Sequence, residues 1–204
     1  PDLPEKNILL EPSRRNTAPC IAYGSYKIRE RNPEARMVVA PSDHLILKED
    51  KFIKVVQEGL KFVGEEKALL TIGIPPSRPE TGYGYIQANG AAETVSKYRN
   101  LKQVKTFTEK PDLKLAKIFY ESGEFFWNSG IFFWTVESIL DAFSLHLPEM
   151  YSVFSEGEGK YDTDEETGFI NYAYSDCKNI SIDYGVMEKA DNVLLDFTRH
   201  YMPD

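Results

Sequence analysis

The chain has 204 residues, 24 Lys+Arg against 32 Asp+Glu, a formal net charge of -8 and 42% hydrophobic residues. This is an ordinary globular composition, long enough to bury a sizeable core as one domain, so collagen-like, coiled-coil and disordered readings are excluded. No apolar run approaches the roughly 20 residues of a membrane-spanning helix, and the acidic balance argues against a nucleic-acid binder but not against a small anionic ligand.

In chain order, Asn7–Leu10 (NILL) predicts a short buried strand. Asn16 and Thr17 offer a helix cap, with Pro19 in the first turn where its missing N–H is harmless. Ala18, Ile21, Ala22, Ser25 and Ile28 then fall on one helical face. Met37–Ala40 (MVVA) predicts a second strand, closed by Pro41. Phe52, Val55, Val56, Leu60 and Val63 form the stripe of a second helix, and Ala68–Ile74 (ALLTIGI) a third strand before a Pro-rich loop. Strands alternating with helices predict a parallel sheet with crossover helices, and continuous apolar runs suit strands covered on both faces.

Further on, Tyr83–Gln87, Gln103–Phe107 and Ile131–Trp134 read as strands. Asp112 caps a helix bearing Leu115, Ala116 and Phe119; Val136–Leu147 is helical, with Ile139, Leu140 and Phe143 inward. Gly157–Gly168 is acidic and poor in apolar residues, which predicts a surface loop. Ile182–Ala190 reads as a short helix before a strand at Val193–Leu195. With no internal repeat or linker, residues 1–204 read as a single α/β domain with a mixed sheet. Cys20 and Cys177 are too few for a disulfide framework and lack metal-site spacing, so both are expected as reduced thiols in a cytoplasmic protein. No secretory leader is visible.

Several segments carry groups suited to chemistry. Asp43 follows the strand MVVA, and ligands of open α/β sheets bind beyond the carboxyl ends of strands. Its carboxylate suits a hard cation such as Mg²⁺ that bridges to phosphates; equally, Asp43 could cap the next turn while His44 packs. Glu11 precedes Arg14, Arg15, Asn16 and Thr17 at a helix start, where anions are favoured. A carboxylate there can accept the paired N–H donors of guanine, or the segment is a plain helix entry. Gly82 and Gly84 flank Tyr83, which permits either close approach of a ligand or an ordinary hairpin. Glu109-Lys110 could hold a sugar diol and its phosphate, or form a surface ion pair. Asn128 can donate to and accept from sugar hydroxyls, although the aromatics around it also suit a core. Asp183, with Glu188 behind it, opens the late helix and could simply cap it. His146 and His200 have no partner pattern, and no Cys/His metal spacing or Gly-x-Ser-x-Gly elbow is present.

The order of segments says more than any one of them. EPSRRNTAPCIA, VVAPSDHLI, TIGIPPSRPETGYGYI, FTEKPD, FFWNSGIFFW and ISIDYGVMEK follow one another along the chain. Together they resemble the mannose-1-phosphate guanylyltransferase family of sugar-nucleotide pyrophosphorylases, from roughly Asn7 to Leu195. The resemblance implies a Rossmann-like nucleotidyltransferase domain with a mixed, mostly parallel sheet flanked by helices. It implies that GTP and mannose 1-phosphate give GDP-mannose and pyrophosphate, with Mg²⁺ as Lewis acid and template. By residue, it implies a metal-binding Asp43, base-contacting Glu11, Asn16 and Thr17, sugar-contacting Gly84, Glu109, Asn128 and Asp183, and Lys110 at the sugar phosphate. The sequence does not set the oligomeric state, and a homodimer is among the assemblies it allows.

Two departures shape the expectation. The family's opening Gly-rich turn, G-G-x-G-x-R, is absent, and so is its W-S-D-x-G segment; the tail from Asp196 to Asp204 does not align. The chain is therefore expected to be the middle of a larger catalytic domain, with little activity by itself. Alternatives are a non-catalytic sugar-nucleotide-binding regulatory subunit and a pyrophosphorylase for another sugar 1-phosphate. A metal-dependent glycosyltransferase is disfavoured, since Ser42-Asp43-His44 stands where its D-x-D pattern would be.

Overall fold

Helix α1 (Thr17–Arg31) starts at its cap: Asn16 sits at φ 68° and its Oδ1 accepts the Thr17 N–H at 3.0 Å. Pro19 lies in the first turn, and Ala18, Ile21, Ala22 and Ser25 form the buried face. Helices α2 (Glu49–Glu65), α3 (Leu113–Ser122) and α4 (Val136–His146) occupy the predicted stripes. Asp112 Oδ1 caps α3 through the Leu115 N–H at 2.8 Å, and Thr135 Oγ1 caps α4 through the Ser138 N–H at 3.0 Å. No described helix is long and apolar enough to cross a membrane.

This computed structural model describes residues 3–88 and 101–196. The strands are β1 (Arg36–Val39), β2 (Leu69–Ile74), β3 (Tyr85–Ala88), β4 (Leu101–Thr108), β5 (Phe125–Thr135) and β6 (Val193–Asp196). They form one sheet in the order β1-β5-β2-β6-β4-β3, and β3 also pairs with β5. Phe132 and Trp134 of β5 face the core under α1 and α4, whereas Ile131 and Phe133 face α2. A smaller cluster of Tyr85, Ala116 and Trp127 seats α3 at the other end of β5.

The mixed α/β sheet agrees with expectation, but its predicted mostly parallel pairing does not. Among the described residues only β2–β6 is parallel, because β5 runs antiparallel to β1, β2 and β3, and β4 antiparallel to β3 and β6. Residues 8–10 form no strand. A short 3-10 turn (Glu5–Asn7) precedes them, Ile8 and Leu10 are exposed, and no described strand pairs with this segment. Two helices were not predicted: α5 (Pro148–Ser155), begun by its proline, and α6 (Glu166–Ser175). The expected surface loop at 157–168 therefore ends in α6, and it buries both Tyr161 and Glu166. Burying Glu166 is tolerable because Lys27 Nζ of α1 lies 2.6 and 2.5 Å from its two oxygens. The predicted late helix is a π-helical turn, Asp183–Met187. His200 and the unaligned residues 197–204 lie outside the described residues.

Candidate functional site

The site is organised by an irregularity in β5. Between the pairs Thr71↔Phe132 and Gly73↔Asn128, β2 advances by Ile72 alone while β5 runs through Ser129, Gly130 and Ile131. Such a bulge re-aims side chains and is common beside binding sites. Gly130 takes φ 71°, where a Cβ would be strained and only 3.2 Å from Pro41.

The bulge turns Asn128 into a hub. Its backbone N–H donates to Gly84 O at 2.8 Å. Its Oδ1 accepts from the Gly130 N–H at 3.1 Å and the Thr71 hydroxyl at 3.2 Å, and its Nδ2 donates to Asp183 Oδ1 at 2.9 Å. One amide N–H remains uncommitted among these contacts.

Glu109 and Lys110 stand at the end of β4. Lys110 takes φ 43°, and its Nζ lies 3.2 Å from Glu109 Oε1. The Glu109 side chain is only 11% exposed, the Lys110 side chain 62%. Gly84 makes that burial possible, because a Cβ there would lie 2.5 Å from Glu109 Oε2. Glu188 Oε1 accepts the Glu109 backbone N–H at 3.2 Å. Burial pushes the Asp183 carboxyl above the ordinary range, and the negative charge of Glu109 adds to this. The Glu188 carboxyl is raised too, first by desolvation and then by Glu109 and Asp183.

The start of α1 grips the segment ahead of Asp183. Thr17 Oγ1 accepts the Ile182 N–H at 2.8 Å, the Ala18 N–H donates to Ile180 O at 3.1 Å, and the Ile180 N–H donates to Arg15 O at 3.3 Å. Asn16 and Thr17 thus have structural contacts, as cap and as anchor. Glu11 sits apart, accepting from the buried Tyr174 hydroxyl at 2.9 Å on the wall of a separate 440 Å³ cavity. Next to Glu11 the Cys20 thiol is raised by desolvation and by the Glu11 charge, although the residue as a whole is exposed.

Asp43 and Asn128 line a shared 260 Å³ cavity with Tyr83, Trp127 and Ser129. Tyr83 packs on Trp127, with ring centroids 5.1 Å apart. The larger 580 Å³ cavity between α5 and α6 contains none of the sequence candidates. Its Cys177 thiol, pushed up to about 11 by burial, is a poor nucleophile.

No cluster of three acidic, His or Cys side chains able to hold a metal occurs among the described residues. Asp43 is exposed on the cavity wall, with no hydrogen bond or ion pair to its carboxylate among the described residues. A single oxygen ligand of this kind fits a Mg²⁺ that takes its remaining ligands from substrate phosphates and water; it does not fit an all-protein cage.

The structure brings Gly84, Glu109, Lys110, Asn128 and Asp183 together, joins Asp43 to Asn128 through the cavity, and leaves Glu11 and Asn16 elsewhere. Sequence reasoning missed Thr71 and any tie between Glu188 and Glu109. The one signal for Thr71 was a lone hydroxyl in the apolar run ALLTIGI.

Comparison with known proteins gives consistent results. Residues 3–177 match the family model described as nucleotidyl transferase. A mannose-1-phosphate guanylyltransferase of Escherichia coli is 39% identical over 198 residues, covering 94% of this chain and 41% of that protein. One from Salmonella montevideo is 36% identical over 193 residues, covering 93% and 40%. A Thermus thermophilus crystal structure described as a mannose-1-phosphate geranyltransferase superposes with a TM-score of 0.80 at 28% identity, covering 94% of this chain and 52% of that one. The chain thus spans about two fifths of the length of the curated relatives it matches.

Proposed function

The chain belongs to the nucleotidyl transferase family, and from that premise we propose that it carries the sugar-phosphate end of a mannose-1-phosphate guanylyltransferase site. The reaction joins mannose 1-phosphate to the α-phosphorus of GTP. A sugar-phosphate oxygen forms the new P–O bond, the α–β bridge breaks, and pyrophosphate leaves. Such a step asks for positioning and charge neutralisation rather than covalent help.

The observation that carries the reading is the grouping of Glu109, Lys110, Asn128 and Asp183 around Gly84. Glu109 and Asp183 are acceptors for sugar hydroxyls, and the free N–H of Asn128 is a donor beside them. Lys110 presents an exposed ammonium to the phosphate, and its ion pair with Glu109 orients that ammonium beside the sugar-hydroxyl acceptors. Asp43 would hold Mg²⁺, which when bound supplies charge neutralisation at the phosphates. At the nucleotide end, Glu11 is the base reader in this proposal: Tyr174 donates to one carboxylate oxygen, and the carboxylate keeps further lone pairs that can accept from guanine. Asn16 and Thr17 shape the backbone beside it.

The test uses a full-length protein carrying this sequence. Lys110→Ala should raise KM for mannose 1-phosphate by at least about tenfold, the worth of one charge-assisted contact, with KM for GTP little changed. Equal changes for the two substrates would overturn the assignment of Lys110 to the sugar phosphate.

A further inference from the structure

We propose that Glu188 is a positioning residue that holds the Glu109-Lys110 turn in the geometry needed to receive a sugar phosphate. The inference rests on the reading of Glu109 and Lys110 given above.

Strand β4 ends at Thr108, paired with Tyr85. Glu109 is the first residue past the ladder, and its backbone N–H goes to the side chain of Glu188, 3.2 Å away. The next residue, Lys110, takes φ 43°, a left-handed conformation unfavourable for a residue with a Cβ. Pro111 follows, and then Asp112 caps α3. The strained turn is therefore tied down on both sides, by Glu188 before it and by the Asp112 cap after it. Between the two ties, Glu109 is driven in against Gly84 and Lys110 is driven out.

Glu188 also belongs to the other half of the site. It follows the π-helical turn directly, and its own backbone N–H donates to Asp183 O at 2.9 Å. One residue thus bridges the end of β4 and the turn that carries Asp183. The bridge spans 79 positions of sequence. It sets the spacing between the sugar-hydroxyl acceptors and the phosphate-binding ammonium. Glu188 is itself exposed, so removing its side chain leaves the core intact.

What the turn needs from Glu188 is an acceptor oxygen, not a charge. A carboxylate beside Glu109 and Asp183 even adds repulsion. Glutamine keeps the acceptor; alanine does not.

In a full-length protein carrying this sequence, Glu188→Ala should raise KM for mannose 1-phosphate about tenfold with KM for GTP and the melting temperature little changed. Glu188→Gln should stay within about twofold of the parent, since its amide oxygen still accepts. A second readout needs no substrate: hydrogen exchange at the Glu109 amide should quicken about tenfold in Glu188→Ala and hardly in Glu188→Gln. Unchanged exchange in the alanine variant, or a glutamine variant as impaired as alanine, overturns the proposal. If Lys110→Ala does not discriminate the two substrates while Glu109 exchange still follows this pattern, the sugar-phosphate reading has failed and the positioning of the turn stands.

Discussion

The Lys27 cluster and the Glu109 cluster use the same kinds of side chain and differ in how their charges are matched. In the first, Lys27 touches both oxygens of Glu166 and lies 2.9 Å from Asp162. Arg31 pairs with Asp162, and the Tyr23 hydroxyl and Asp162 N–H complete Glu166. Arg31 holds the Asp162 carboxyl well below its usual range. Burial works against the charge of Glu166, but Lys27, Tyr23 and the Asp162 N–H together bring its carboxyl down. In the second cluster the one ion pair is Lys110 with Glu109; Lys110 also acts on Asp183 and Lys189 on Glu188, yet the carboxyls of Asp183 and Glu188 are raised, first by desolvation. The first cluster has spent its bonding capacity on joining α1 to α6. The second keeps acceptors and an outward cation in reserve, as a ligand site requires.

The largest effect separating them should come from Lys27→Met. It strands a buried Glu166 and should cost about 3–5 kcal/mol in urea unfolding, with KM for mannose 1-phosphate unchanged in the folded fraction. A loss below about 1 kcal/mol would place this pair with ordinary surface bridges and break the contrast.

Gly84→Ala tests the other cluster. The new methyl meets the flexible end of Glu109, so the carboxylate must move while the fold tolerates the change. A penalty of about 1–3 kcal/mol, as for other overpacking, should appear in KM for the sugar phosphate rather than in the melting temperature. The reverse pattern would mean that Gly84 serves packing alone.

The smallest effect is one of pH. Asp162 and Glu166 have depressed carboxyls, so their stabilisation is complete above the ordinary values of 3.8 and 4.5 and is lost as the pH falls through and below them. Asp183 and Glu188 have raised carboxyls. Their charged forms cost stability at neutral pH, and protonation above those ordinary values relieves it. Acidification should therefore weaken sugar-phosphate binding, as Asp183 loses its acceptor charge, before it loosens the fold. Melting curves and KM recorded across the same pH series would check this, and a coincident decline would remove the distinction.

What the sequence determined alone is whatever short-range physics controls. Asn16, Asp112 and Thr135 cap helices through groups one to three residues away, and the stripes of α1 to α4 follow a period visible in a single window. The segments TGYGYI, EKPD, WNSG and ISIDYG likewise contain the residues that meet around Gly84, whereas Glu11 and Asn16 of EPSRRNTAP lie elsewhere. Tertiary structure decided everything that needs a distant partner. Residues 8–10 have strand-like composition, but a strand exists only in a ladder, and no described strand lies beside them. The acidic stretch before α6 looked solvated because its counter-ion, Lys27, is 139 positions away from Glu166. The direction of pairing was hidden because β5, late in the chain, inserts between β1 and β2. In the site itself, Thr71 reaches Asn128 across 57 positions and Glu188 reaches Glu109 across 79. A hydrogen bond at such separation is set by the packing of the sheet and not by the residues that flank it.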